Sequence, residues 1–177
     1  MMKTLKIVGV GLLGLIVLLG LGGLLLPRHV YVERSAFIEA PAPVLQAQVS
    51  ELRNWERWSP WYKKDPAIQM AYSTPSAGAG AWYSWQSNHS EVGNGKLVLS
   101  AVTPDSIGTT MDFGMETPAY SAFHFRPQGS GTLVRWTLHT DMGANPYVRY
   151  MGLFMDQMVG KDYEEGLANL AKVSTAQ

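Results

Sequence analysis

A run of twenty apolar residues, from Ile7 to Leu26, constrains this chain more than any other part of its sequence. The run contains no charge and no side chain more polar than that of glycine. An α-helix rises about 1.5 Å per residue, so the run predicts a helix roughly 30 Å long, which matches the hydrocarbon thickness of a bilayer. We therefore interpret the run as a transmembrane helix.

Two other interpretations of this run are weaker. Its glycines at positions 9, 11 and 14 match the GxGxxG spacing of a dinucleotide-binding turn, but no polar helix face and no second parallel strand follow them. A cleaved signal peptide is the closer alternative, because Lys3 and Lys6 form a basic N-terminal region. The apolar core is longer than is usual for a signal peptide and ends at Leu26-Pro27 without a small-residue cleavage pattern, which favours a retained signal anchor.

The charges around the helix predict its orientation. Lys3 and Lys6 precede it and Arg28 is the only firm charge just after it, so the positive-inside rule predicts a cytoplasmic N-terminus. The chain is then divided into residues 1–29, which are a cytoplasmic tip, a transmembrane signal anchor and a short tether, and residues 30–177, which are one folded domain. We expect a single-pass protein of a bacterial inner membrane whose domain lies in the periplasm, close to the membrane surface.

Composition excludes several functions for the domain. Without Lys3 and Lys6 it has 12 basic and 14 acidic residues, a formal charge of −2, which disfavours nucleic acid as a partner. The absence of cysteine excludes disulfides, a thiol nucleophile and a cysteine zinc site. No HExxH or GxSxG motif occurs, and the sequence predicts no catalytic residue, no metal site and no cofactor.

Hydrophobic periodicity predicts the order of the elements. A strand at 30–39 is followed by a helix that Pro43 opens and by a segment in which Trp55, Trp58 and Trp61 alternate with basic residues. Period-two alternation broken by turn residues then predicts an antiparallel meander with strands at 68–72, 81–87, 96–102, 106–115, 119–126 and 132–141. A long helix from about 146 to 173, with Asn145 as its N-cap, ends the chain. The fold class is α+β, because only this last helix is long enough to cover the apolar face of a curved sheet.

Several motifs recur in a fixed order along the domain: Val32-Glu33-Arg34-Ser35-Ala36-Phe37-Ile38-Glu39-Ala40-Pro41, Trp55-x-x-Trp58-Ser59-Pro60-Trp61, Trp85-x-Ser87-Asn88, Gly131-Thr132-x-Val134-x-Trp136 and Gly160-Lys161-Asp162-Tyr163-Glu164. In these motifs the chain resembles the SRPBCC superfamily of START-like and polyketide-cyclase-like proteins. The resemblance implies a helix-grip fold, in which a curved antiparallel sheet wraps around the long C-terminal helix. It also implies a deep pocket between sheet and helix that holds an apolar molecule, but no single activity, because members include lipid carriers and cyclases.

The sequence therefore predicts binding of a hydrophobic small molecule or lipid beside the membrane, without chemistry. The candidate ligand-binding residues are Arg34, Trp58, Trp61, Trp85, Met111, Phe113, Phe123, Trp136, Met151, Met155 and Met158. A polyketide cyclase- or hydrolase-like enzyme is one alternative, although alternation finds no inward-facing titratable pair and turns His124 and His139 outward. A non-catalytic scaffold of a membrane complex is another, and it requires an inner face filled by the domain's own side chains.

Two of the candidates have competing interpretations. Arg34 shares a face with Ala36 and Ile38, so it is either a buried charge for an acidic head group or a salt bridge at the sheet edge. The tryptophan segment is part of the core, part of the cavity mouth, or a contact with the bilayer surface. The third interpretation rests on its composition, because tryptophan among basic residues suits the head-group region.

Overall fold

The computed structural model describes residues 2–175; Met1, Ala176 and Gln177, which the predicted regions include, lie outside the described residues. Within that range the elements are α1 (Met2–Leu25), β1 (His29–Ile38), α2 (Ala42–Ser50), a 3-10 helix (Leu52–Arg57), α3 (Pro60–Lys64), β2 (Gln69–Tyr72), β3 (Trp82–Gln86), β4 (Gly95–Val102), β5 (Ser106–Asp112), β6 (Ala119–Gln128), β7 (Gly131–Asp141) and α4 (Arg149–Thr175).

The seven strands form one antiparallel sheet in the order β1-β7-β6-β5-β4-β3-β2. The curved sheet wraps around α4, and an apolar helix precedes it, so the predicted fold class is confirmed. Every predicted strand is present, with ends that differ by three residues at most. The largest difference is at β5, which ends at Asp112 because the Asp112 carboxylate accepts the N–H of Gly114 at 2.8 Å in a turn where Gly114 has φ +71°.

The last helix begins three residues later than predicted. Asn145 accepts the N–H of Tyr147 on its side chain at 3.0 Å and the N–H of Val148 on its carbonyl at 3.2 Å. Residues 146–148 therefore form a turn, and α4 starts at Arg149.

Alternation correctly predicts the inner face of the central strands. Phe123 and Phe125 on β6 are buried, as are Val134, Trp136 and Leu138 on β7. From the other side α4 buries Tyr163, Leu167 and Leu170 against them, so the core lies between the sheet and this helix.

The two ends of the sheet differ in what adjoins them. His29 pairs with Asp141 and Ala119 with Thr140, which brings the start of β1, the end of β7 and the β5–β6 loop to one end. Only residues 26–28 separate this end from α1, and we call it the anchor end. The helix α4 runs alongside β1 away from it, since Gly152 lies against Val30 and Gly160 lies against Arg34.

Among the described residues, α1 contains one segment long and apolar enough to cross a membrane, Lys6–Leu25. A membrane anchor and a signal sequence share these properties. Near its C-terminal end the segment packs against the turn before α4, where Gly23 lies against the carbonyl of Pro146. A side chain at position 23 would prevent this close approach.

Gly166 of α4 tests how tightly the helix is packed on the sheet. A Cβ there would lie 2.7 Å from Cζ3 of Trp136, whose ring is stacked on Tyr163 with centroids 3.8 Å apart. We expect Gly166→Val to lower the free energy of unfolding by about 1–3 kcal/mol through overpacking. Urea unfolding of the detergent-solubilised chain measures this, and Ala168→Val, on the exposed face of the same helix, is the control. Equal stability of the two variants would contradict the packing described.

Candidate functional site

A cavity of about 530 Å³ lies between the sheet and the first half of α4. It occupies the anchor end of the sheet, since its walls include Thr117, Thr140 and Met142 near the ends of β6 and β7. The opposite end is packed solid by buried side chains, namely Ile38, Leu45, Val49, Leu99, Ile107, Phe125, Val134 and Leu170. The domain is thus filled at one end and hollow at the other.

Eight of the eleven candidate residues line this cavity: Trp61, Trp85, Met111, Phe113, Trp136, Met151, Met155 and Met158. The methionines come from β5 and α4 and therefore face each other across the space. Their unbranched thioethers adapt to ligands of different shape. That these eight residues contact a ligand remains a prediction.

The other three candidates lie outside the cavity wall. Trp58 is fully buried, and its indole N–H donates to the carbonyl of Gln48 at 3.3 Å. Phe123 is fully buried too, with its ring stacked 4.4 Å from Trp136. Both rings lie behind residues of the wall, and that they contact a ligand remains a prediction.

Arg34 also lies outside the cavity lining. Its guanidinium donates to Asp156 at 2.9 Å and to Glu164 at 2.7 Å, both on α4. Hydrogen bonds with Asp156 and Glu164 raise the pKa of Arg34 and keep it charged. β1 is an edge strand, so the alternative interpretation, a salt bridge at the sheet edge, describes Arg34. Its guanidinium donates to Asp156 and Glu164 of α4 and to the carbonyl of Glu33.

Sequence reasoning missed the charged pair in the cavity wall. Lys64 Nζ lies 2.7 Å from Oδ1 of Asp162 and 3.4 Å from Oε2 of Glu91. Asp162 follows Met155 and Met158 on the apolar stripe of α4, and this spacing was the available signal that it faces inward. Lys64 carried no such signal, because α3 is a single short turn whose direction depends on tertiary packing.

The electrostatics of this pair favour its charged form. Burial disfavours the ammonium of Lys64, but the hydrogen bonds and attraction from Asp162 and Glu91 together outweigh it, so the pKa of Lys64 is raised. Lys64 is thus protonated at neutral pH and is a hydrogen-bond donor rather than a base. Burial likewise raises the pKa of the Tyr83 and Tyr163 hydroxyls in the wall, which are neutral at the same pH.

One polar group in the wall lacks a partner. The hydroxyl of Ser59 is buried and forms no hydrogen bond within the described residues. By contrast, Ser121 accepts from the Trp136 indole at 2.9 Å and lies 3.3 Å from the Tyr163 hydroxyl. An unpaired buried hydroxyl costs free energy. A hydrogen bond from Ser59 to a polar atom of a bound molecule would therefore be favourable.

The histidines lie away from the cavity. His139 is exposed on the outer face of β7 and stacks on His29, with centroids 5.6 Å apart. His124 lies on the same outer face, as alternation predicts. No cluster of three metal-ligating side chains occurs among the residues described.

The sequence model of the family described as "Polyketide cyclase / dehydrase and lipid transport" matches residues 29–175. The chain belongs to this family. The match spans the whole sheet and α4, and it confirms the predicted resemblance to the SRPBCC superfamily. No curated protein matches the chain.

Several solved structures have the same fold as this chain, at sequence identities of 10–12%. Truncated norcoclaurine synthase from Thalictrum flavum has a TM-score of 0.63 at 10% identity, covering 82% of this chain and 92% of its own. The di-domain ARO/CYC StfQ from the steffimycin biosynthetic pathway has a TM-score of 0.64 at 10% identity, covering 84% of this chain and 52% of its own. A Staphylococcus aureus protein of unknown function has a TM-score of 0.62 at 12% identity, covering 84% and 97%.

The ion pairs of Arg34 lead to a prediction. Arg34→Gln should lower the free energy of unfolding by about 1 kcal/mol or less, because its carboxylate partners are mostly exposed. Uptake of a fluorescent fatty acid by the detergent-solubilised chain should not change. A large loss of fatty-acid uptake by a variant that is still folded would instead indicate that Arg34 takes part in ligand binding.

The Lys64–Asp162 pair leads to a second prediction. Asp162→Asn should lower the free energy of unfolding by about 1–3 kcal/mol at neutral pH, because it leaves a half-buried ammonium without its main partner. Adding Lys64→Met should restore most of that loss. Because the pKa of Lys64 is raised in the folded chain, its contribution is complete below the unfolded value of 10.5 and is lost as the pH rises above it. The difference between wild type and Asp162→Asn should therefore shrink above about pH 10.5 in urea titrations, and a constant difference would contradict this account.

Proposed function

We propose that this chain binds a hydrophobic small molecule or lipid in the cavity between the sheet and α4. Residues 1–29 hold it as a retained single-pass anchor in a bacterial inner membrane, and residues 30–177 are the binding domain, which faces the periplasm. The observation that carries the proposal is the hollow anchor end of an otherwise solid core. The family description, which includes both lipid transport and cyclase activity, supports it in general terms.

The cavity suits an apolar ligand with one polar end. Its volume of about 530 Å³ falls within the range that holds drug-sized molecules, roughly 300–1,000 Å³. Met111, Met155 and Met158 provide apolar contact, which contributes roughly 25 cal/mol per Å² buried. Ser59 and Lys64 offer hydrogen-bond donors in the wall, and each can orient a hydroxyl, carbonyl or carboxylate group.

The same polar groups favour binding over chemistry. General acid–base catalysis at neutral pH needs a group whose pKa lies near 7. In the wall, Lys64 remains charged and Tyr83 and Tyr163 remain neutral at that pH, because each of these pKa values is raised. They are hydrogen-bonding groups rather than acid–base catalysts.

A cyclase- or hydrolase-like enzyme is the second candidate, and a specific observation favours it. The prediction against an enzyme relied on the lack of an inward-facing titratable pair, yet Lys64 and Asp162 form such a pair in the cavity wall. The scaffold alternative required an inner face filled by the domain's own side chains, and the cavity leaves that requirement unmet.

The proposal is tested by filling the cavity. We expect Met155→Trp combined with Met158→Trp to reduce lipid retained on the purified full-length chain at least tenfold, because indole rings occupy the ligand's space. Native mass spectrometry from detergent, with identification of the released molecules, measures the retained ligand.

Ala168→Trp is the matched control, since Ala168 is exposed on the same helix and does not line the cavity. It should retain as much ligand as wild type. A folded double variant that retains an unchanged amount of ligand would refute the proposed binding site. A released molecule chemically altered relative to the supplied one would instead favour the enzyme.

A further inference from the structure

The opening of the cavity is surrounded by exposed apolar side chains. Phe113, Met115, Met151 and Met158 line the cavity and are also 45–62% exposed, so they mark its mouth. Phe154 lies beside them on α4 and is 57% exposed without lining the cavity. Contiguous exposed apolar surface of this kind is rare on monomeric soluble proteins and marks an interaction site.

The sequence around the mouth has very little charge. Between Asp141 and Asp156 the only charged residue is Arg149. The β5–β6 loop has none between Asp112 and Glu116. Both apolar segments are therefore bounded by acidic residues and can enter an apolar medium only as far as those boundaries.

The contacts with α1 indicate what covers this surface. The hydroxyl of Tyr147 donates to the carbonyl of Ile16 at 2.9 Å, and that of Tyr150 donates to the carbonyl of Leu19 at 2.9 Å. Both carbonyls belong to the apolar run that ends at Leu26. At about 1.5 Å per residue, Ile16 lies roughly 15 Å and Leu19 roughly 10 Å below the end of the run along the helix axis.

These contacts use the glycines of the anchor. A Cβ at Gly20 would lie 3.0 Å from the Tyr147 hydroxyl, and one at Gly22 would lie 2.6 Å from the Tyr150 hydroxyl. Arg149, the single charge of the segment, donates to the carbonyl of Leu24 at 3.2 Å, near the end of the run. The start of α4 is thus held at the level of residues 16–24 of the anchor.

We propose that the start of α4 and the tip of the β5–β6 loop lie within the outer leaflet of the lipid bilayer, so that the mouth of the cavity opens among acyl chains. This proposal rests on the proposed function in one respect, namely that α1 spans the membrane. The partner of the apolar surface is the bilayer itself. A hydrophobic ligand then passes between leaflet and cavity without crossing water.

The test exploits the absence of cysteine from the chain. Single variants Phe154→Cys, Phe37→Cys and Leu18→Cys of the full-length protein are labelled with the fluorophore NBD and placed in nanodiscs of phosphatidylethanolamine and phosphatidylglycerol. A fraction of the lipids carries a doxyl quencher on the acyl chain. Phe37 is the matched control, because it is a similarly exposed phenylalanine, 48% against 57%, at the far end of β1, roughly 25 Å from His29.

We expect the label at position 154 to be quenched at least threefold more than the label at position 37, and at least half as strongly as the label at position 18 in the anchor. Quenching at 154 equal to that at 37, with strong quenching at 18, overturns the proposal and leaves the anchor in place. Weak quenching at 18 overturns both the anchor and this proposal. Ligand retention in the cavity-filling experiment is measured separately, so failure of the binding site is distinguished from failure of the membrane contact.

Discussion

The stack of Trp136 on Tyr163 is the contact on which the rest of the domain depends. It joins β7 to α4 with ring centroids 3.8 Å apart, and Gly166 provides the space that lets the helix approach so closely. Trp55 and Trp58 pack edge-on around the same indole, at 6.4 and 5.8 Å. The indole N–H is paired with Ser121, so this aromatic group is buried without an unmet donor. Sheet, tryptophan segment and terminal helix are thereby fixed at one point.

The cavity follows from what lies on either side of that point. Beyond the stack, α4 presents Leu167 and Leu170, which are branched, fully buried and complementary to the sheet. Toward the start of the helix it presents Met151, Met155 and Met158, which line the cavity, and two of them are 60–62% exposed. The ion pairs of Arg34 with Asp156 and Glu164 hold this half of the helix to the edge strand. A rigid helix attached along one edge therefore remains in place over a hollow.

Strand positions and faces could be predicted from the sequence because they depend on local alternation. The buried faces of β6 and β7 and the inward methionines of α4 follow from periods of 2 and 3.6 residues alone. Periodicity gives the direction of a side chain but not its depth. Phe123 and Trp58 face inward, yet both pack against Trp136, which lines the cavity while they do not.

The polar part of the site could not be predicted in the same way. Arg34 lies on the inner face of β1, but its charge is met by α4, and only the three-dimensional approach of helix and edge strand determines that. Lys64 reaches the cavity because α3 lies across from Asp162, a pairing of residues almost one hundred positions apart. The sequence could not predict that the Ser59 hydroxyl is unpaired. Whether a side chain finds a hydrogen-bond partner depends on how all its neighbours pack in the folded structure.

The hollow end of the domain and the apolar helix α1 are parts of one arrangement. An open apolar mouth is unfavourable in water, and the three-residue tether alone would not determine which way it faces. The hydrogen bonds from Tyr147 and Tyr150 to carbonyls of α1, made possible by Gly20 and Gly22, attach the segment beside the mouth to that helix. The same contacts fix the start of α4, and with it Met151 of the mouth, next to the most apolar helix of the chain.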